Sequence, residues 1–194
     1  MTFTRRALIA AAVSSLTFAT LNPSFADDAN TMTIKLKDGD VKVELLPKLA
    51  PKHVEQIKAL AKEGAYDNVV FHRVIPGFMA QTGDVQYGNA EKGFNAQAAG
   101  TGGSTRPDLP AEFSKEPFVR GVVGMARSQN PNSANSQFFI MFTDYPSLNG
   151  QYTVVGKVTS GMEYVDKIKK GSEANNGAVE NPDRMIKVTV GAGK

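Results

Sequence analysis

Between Val70 and Asp84 the chain reads V-F-H-R-V-I-P-G-F-M-A-Q-T-G-D, two short runs of β-branched and aromatic residues on either side of the breaker pair Pro76-Gly77. This pattern predicts two strands joined by a tight turn. Side chains alternate faces along a strand, so Arg73 is expected to point the same way as Phe71 and Ile75. An apolar surface is a costly place for an unpaired guanidinium, so this arginine needs a reason to be there. On the second strand the same alternation sets Met79 and Gln81 on one face, with Phe78 at the corner beside them. A permanent cation, a neutral amide and two apolar groups are therefore expected to line one pocket. His72 falls on the opposite face from Arg73 and is read as structural.

The flanking sequence supplies partners for this hairpin. Thr33 to Leu36 and Val41 to Leu45 alternate with period two around Asp38-Gly39, a hairpin turn signal. Val119 to Ala126, Ser136 to Phe142, Tyr152 to Val158 and Met185 to Val190 are further strand candidates. Within Ser136 to Phe142, Gln137, Phe139 and Met141 share one face and Phe138, Ile140 and Phe142 the other, the pattern of a strand buried on both sides. Helical spacing occurs twice. Pro51 to Glu63 carries Val54, Ile57, Leu60 and Ala61 between an initiating Pro51 and a terminating Gly64, and Gly161 to Lys169 carries Met162, Val165 and Ile168. His53, in the first turn of the first helix, is expected to face solvent. Val85 to Pro110 is rich in Gly, Asn, Ala and Thr and reads as a long surface loop, of a length often used for substrate contact. Many strands, two helices and no βα repeat predict a mainly β fold with a closed antiparallel sheet whose open ends the helices cover.

Composition narrows the chemistry. The 194 residues contain no cysteine and only two histidines, which excludes disulfides and thiolate sites and argues against a histidine zinc centre. No carboxylate pair and no Ser-His-Asp or Cys-His set can be assembled. Gly100-Thr101-Gly102-Gly103 lacks both the preceding strand and the Lys-Ser/Thr ending of a phosphate loop and reads as a connection. At the N-terminus Arg5 and Arg6 precede an apolar run from Ala7 to Leu21 that is short for a membrane span, and Ser24 and Ala26 stand where a signal peptidase reads. Residues 1–26 are thus expected to be a cleaved export signal, giving a periplasmic protein with no stable membrane insertion after cleavage. Residues 27–31 are expected to be a flexible leader, 32–190 one domain and 191–194 a tail. Without the signal and its two arginines the formal charge falls from +3 to +1. Lysines scattered among acids give no reason to expect a nucleic-acid partner.

The stretch from Phe71 to Asp84, with S-Q-F-F-I from Ser136 to Ile140 and G-V-V-G-M-A from Gly121 to Ala126, resembles the cyclophilin family of peptidyl-prolyl cis-trans isomerases. The similarity runs from about Met32 to Val190. It implies a closed eight-stranded antiparallel barrel capped by two α-helices, and an isomerase with no cofactor and no metal. By position, it implies that Arg73 is the catalytic arginine and Gln81 the glutamine that orients it. Phe78, Met79, Phe139 and Leu148 would form a proline pocket, while Gln137 and the backbone around Ala126 and Arg127 would hold the substrate main chain. Where many members carry a tryptophan and a histidine, this chain has Ser147 and Tyr152; Tyr152 keeps an aromatic wall, and the missing indole implies weak cyclosporin A binding. The implied partners are proline-containing peptides and unfolded or folding exported proteins, met by a monomer. The competing reading is a non-catalytic proline-peptide binding module or chaperone that uses the same groove. Intact Arg73, Gln81 and Phe139 favour the enzyme.

Overall fold

A computed structural model describes residues 28–191, so the expected export signal and the last three residues lie outside it. A short 3-10 turn, Asp28–Asn30, leads directly into β1 (Thr31–Lys35), which pairs from Thr31 onward with β2 (Asp40–Leu45). Residues 28–31 of the expected leader are therefore in regular structure. The inward side chains Met32, Ile34, Val41, Val43 and Leu45 are buried and the intervening polar ones are not, as period-two alternation requires.

After α1 (Pro51–Lys62) come β3 (Val69–Val70), β4 (Arg73–Ile75), β5 (Met79–Thr82), β6 (Val122–Met125), β7 (Phe138–Met141), β8 (Val154–Ser160), the short α2 (Met162–Asp166), β9 (Arg184–Met185) and β10 (Lys187–Val190). Eight of the strands form one antiparallel sheet in the order β10-β1-β2-β8-β6-β7-β5-β4. The ladder does not close. Among the described residues no strand pairing joins β4 to β10; instead β3 and β9 form a separate two-stranded ribbon. The cause is local: Phe71-His72 interrupts β3 from β4 and Ile186 interrupts β9 from β10, so each edge strand is broken from its own continuation. The architecture is an eight-stranded antiparallel half-barrel with two helices, not the closed barrel expected from the sequence.

The same break corrects the expected facing of Phe71. Off the strand, Phe71 turns into the barrel core with Val74, while Arg73 and Ile75 face the other way. The two faces of β7 divide as expected. Phe138 and Ile140 join the barrel core, and Phe139 and Met141 join a second cluster with Met79, Phe118, Val122 and Val154. That second cluster is the bed on which the site is built.

His53 is fully buried rather than solvent-facing. Ala50 offers α1 no side-chain cap, and Glu112 takes that place from 59 residues away. Its carboxylate accepts the Lys52 and His53 backbone N–H groups, each at 3.2 Å, and meets His53 Nδ1 at 2.7 Å. A carboxylate is favoured at a helix N-terminus, where unpaired N–H groups and the helix dipole converge. Local periodicity carries no trace of a partner so distant in sequence. The second helix is also shorter than its apolar spacing suggests, ending at Asp166.

Candidate active site

The β4–β5 register places Arg73 opposite Gln81 and Ile75 opposite Met79, so the cation and the amide meet across the hairpin. Arg73 Nη1 donates to Gln81 Oε1 at 3.1 Å, Gln81 Nε2 donates to Gln137 Oε1 at 3.0 Å, and Gln137 Nε2 donates to the Gly102 carbonyl at 2.7 Å. On its other edge the guanidinium donates from Nε to the Asn176 carbonyl at 3.0 Å and from Nη2 to Asn176 Oδ1 at 2.9 Å. All of these acceptors are neutral. A guanidinium has five N–H bonds, and three are used here, which leaves one on each terminal nitrogen. Arg73 is half-buried, and burial draws its pKa below the usual arginine value. It remains a cation at ordinary pH.

Arg73 lines a pocket of about 170 Å³ together with Phe78, Met79, Gln81, Ala126, Arg127, Phe139, Leu148 and Tyr152. Nine of the ten expected site residues thus meet at one place. The tenth, Gln137, lines an adjoining cleft of about 390 Å³ and reaches the pocket through its bond to Gln81. Phe139 and Met79 are almost fully buried and form the floor, and Tyr152 stands edge-on to Phe139 with ring centroids 5.7 Å apart. Arg127 contributes its side chain as well as its backbone. Its guanidinium lies 4.5 Å from the Tyr152 ring centroid and donates to the Gln151 carbonyl, fixing that wall. The Gly100–Gly102 part of the long loop lines the adjoining cleft. Asp84 holds it there: the buried carboxylate accepts the N–H groups of Gln86, Tyr87, Gly100 and Gly102.

The sequence pattern described as "Cyclophilin type peptidyl-prolyl cis-trans isomerase/CLD" matches residues 31–190, which contain the whole half-barrel and every residue of the pocket. The chain belongs to the cyclophilin-type peptidyl-prolyl cis-trans isomerases. A probable peptidyl-prolyl cis-trans isomerase of Brucella suis is 72% identical over 193 residues, covering 99% of this chain and 98% of the relative. A peptidyl-prolyl cis-trans isomerase of Helicobacter pylori is 41% identical over 143 residues, covering 72% of this chain and 80% of the relative. In three dimensions this cyclophilin is similar to a Cryptosporidium parvum cyclophilin-type isomerase crystallised in the presence of the dipeptide Ala-Pro. The TM-score is 0.70 at 26% identity, with 84% of this chain and 99% of the other covered.

Sequence reasoning about this cyclophilin missed Asn176, Asp84 and the support beneath the pocket. Asn176-Gly177 is an Asn-Gly pair of the kind that favours turns, but nothing local ties that turn to a strand some hundred residues earlier. Phe118 stacks under Phe139 with centroids 5.8 Å apart. Gly124 makes room for both rings, since a Cβ there would lie 2.6 Å from Phe118 Cε1 and 2.6 Å from Phe139 Cζ. Gly124→Ala is expected to push Phe139 into the pocket. It should raise the KM for X-Pro peptides several-fold and cost about 1–3 kcal/mol of stability through overpacking. Peptide titration and urea unfolding of the variant test this, and an unchanged KM would show that the ring pair yields elsewhere.

Proposed function

We propose that this cyclophilin is exported and rotates X-Pro bonds of other exported proteins while they fold in the periplasm, with Arg73 as the catalytic donor. Peptide-bond resonance sets a rotational barrier of about 18–20 kcal/mol, and uncatalysed X-Pro exchange takes tens to hundreds of seconds. Twisting the bond breaks the resonance, and the prolyl nitrogen regains a lone pair that accepts a hydrogen bond. Arg73 donates to it through an N–H left free by Gln81 and Asn176. That bond strengthens only as the bond twists, which is the condition for accelerating the chemical step. Phe78, Met79, Phe139 and Leu148 hold the proline ring and keep competing water from the guanidinium. Gln137 and the backbone near Ala126 and Arg127 hold the main chain while the preceding carbonyl swings. No proton changes hands.

The observation that carries this reading is the cation clamped by neutral oxygens above an apolar pocket. A carboxylate partner would have spent its charge in an ion pair. The Ala-Pro dipeptide used with the C. parvum relative supports proline-containing peptides as ligands here, and the apolar run after Arg5 and Arg6 supports export. The test is the refolding of a protein whose slow phase is prolyl isomerisation, with catalytic amounts of chain lacking residues 1–26. Acceleration of that phase is expected. Peptide binding without acceleration would favour the binding-module reading. Cell fractionation of the full chain should recover a product starting at Asp27 outside the cytoplasm, and an uncleaved cytoplasmic product would end the export reading.

A further inference from the structure

Asn176 sits in the left-handed region at φ 53°, directly before Gly177 at φ 80°. Most L-residues avoid that region; asparagine tolerates it and glycine suits it best. A turn that needed only the backbone shape would be served by glycine at both places. At Gly177 the need is steric, because a Cβ would lie 2.5 Å from Ile75 Cγ1. At Asn176 there is a side chain, and its oxygen is on Arg73. The segment carrying it is stitched to both sequence neighbours of Arg73. Val74 donates to the Gly177 carbonyl at 2.8 Å, Gly171 donates to the Val74 carbonyl at 2.9 Å, and Val179 donates to the His72 carbonyl at 3.2 Å. Asn176 therefore cannot drift relative to the strand that bears the arginine.

We propose that Asn176 is a positioning residue for the isomerase reaction, its carbonyl and amide oxygens clamping one edge of the Arg73 guanidinium so that the two free N–H bonds stay aimed into the pocket. The inference rests on the reading of Arg73 as the donor to the prolyl nitrogen. A long arginine side chain loses much rotamer freedom when fixed, and a donor pre-fixed before the reaction gains rate through orientation. Gln81 holds only Nη1. Without the Asn176 amide, the Nη2 end keeps no partner and the guanidinium plane can rock about the axis through its two remaining bonds, to the Asn176 carbonyl and to Gln81.

The test is Asn176→Gly, which keeps the left-handed turn and the carbonyl and removes only the amide. We expect kcat for an X-Pro peptide to fall roughly 3- to 10-fold with KM unchanged, and the melting temperature to stay close to that of the native protein. The Arg73 Nη hydrogens are expected to exchange slowly and to be resolved by NMR in the native protein, and to merge in the variant. An unchanged kcat, or a fall in kcat matched by a weaker KM and a lower melting temperature, overturns the proposal. Should the variant fail to fold, native Nη2 hydrogens exchanging as fast as those of free arginine overturn it instead. A native protein with no isomerase activity would defeat the reading of Arg73 and this inference together. Native activity with an unaffected glycine variant defeats this inference alone.

Discussion

Arg73→Ala is expected to lower kcat for X-Pro isomerisation by about 10²- to 10³-fold, the usual consequence of deleting one pre-aimed donor to a charge that develops only in the transition state. Peptide KM should move little, because the planar ground state offers Arg73 no nitrogen lone pair and, on the proposed reading, the proline ring sits against Phe78, Met79, Phe139 and Leu148, which line the pocket. Stability should hold too. Gln81 and Asn176 lose a donor in an open pocket, where water can replace it. Arg73→Lys should recover little of the loss. An ammonium keeps the charge but cannot bond Gln81 and both Asn176 oxygens from one rigid plane, so its direction is no longer fixed. Exchange measured by NMR on a short X-Pro peptide decides the matter. A lysine variant near native rate would mean that charge alone suffices, and an alanine variant with native kcat would return Arg73 to a structural role.

How much of this was legible in the sequence depended on distance along the chain. The Val70–Asp84 hairpin brings Arg73, Phe78, Met79 and Gln81 together within a dozen residues, and its alternation puts the cation and the amide in one pocket; the register that sets Arg73 directly opposite Gln81 is visible only in the structure. The two-sided burial of β7 was equally readable, because each face of Phe138–Met141 packs into a different apolar cluster. Strict alternation failed where the backbone leaves the strand, which is why Phe71 faces the core and why the sheet stays open at β3–β4 and β9–β10. The remaining misses are contacts made by polar atoms across long separations. His53 is buried because Glu112 caps its helix, and Arg73 is clamped because Asn176 returns to it. Hydrophobic period reports which face is buried; it carries nothing about which distant carboxylate or amide will satisfy a polar group there.

His72 gives the second large effect, and it reaches the active site through its neighbours. His72 is 7% exposed, and neither ring nitrogen makes a well-formed hydrogen bond among the described residues, although the Val70 backbone and the Gln137 side chain lie close enough to interact with the ring. Burial draws its pKa from 6.5 down to about 4, with Asp84, the Val70 backbone and the Gln137 side chain opposing the shift and Arg73 adding to it. The native state therefore holds His72 neutral while the unfolded chain protonates it as pH falls below about 6.5. Between those two values the unfolded state binds more protons, so stability rises with pH across the window and is fully present above it. The size is roughly 3 kcal/mol, lost as pH falls from 6.5 to 4. Urea unfolding of native protein and His72→Gln at pH 7, 5.5 and 4.5 isolates this contribution, since a carboxylate titration away from the ring, such as that of Glu112, is common to both. The native curve should fall more steeply, and the gap between the two should shift by most of that amount across the series. Parallel curves would mean that the buried ring finds water or protonates in place. The ring packs against Gly100, in the segment that Asp84 ties down and that carries the Gly102 carbonyl held by Gln137. In that event the wall beside the proline pocket would be looser than its hydrogen bonds imply.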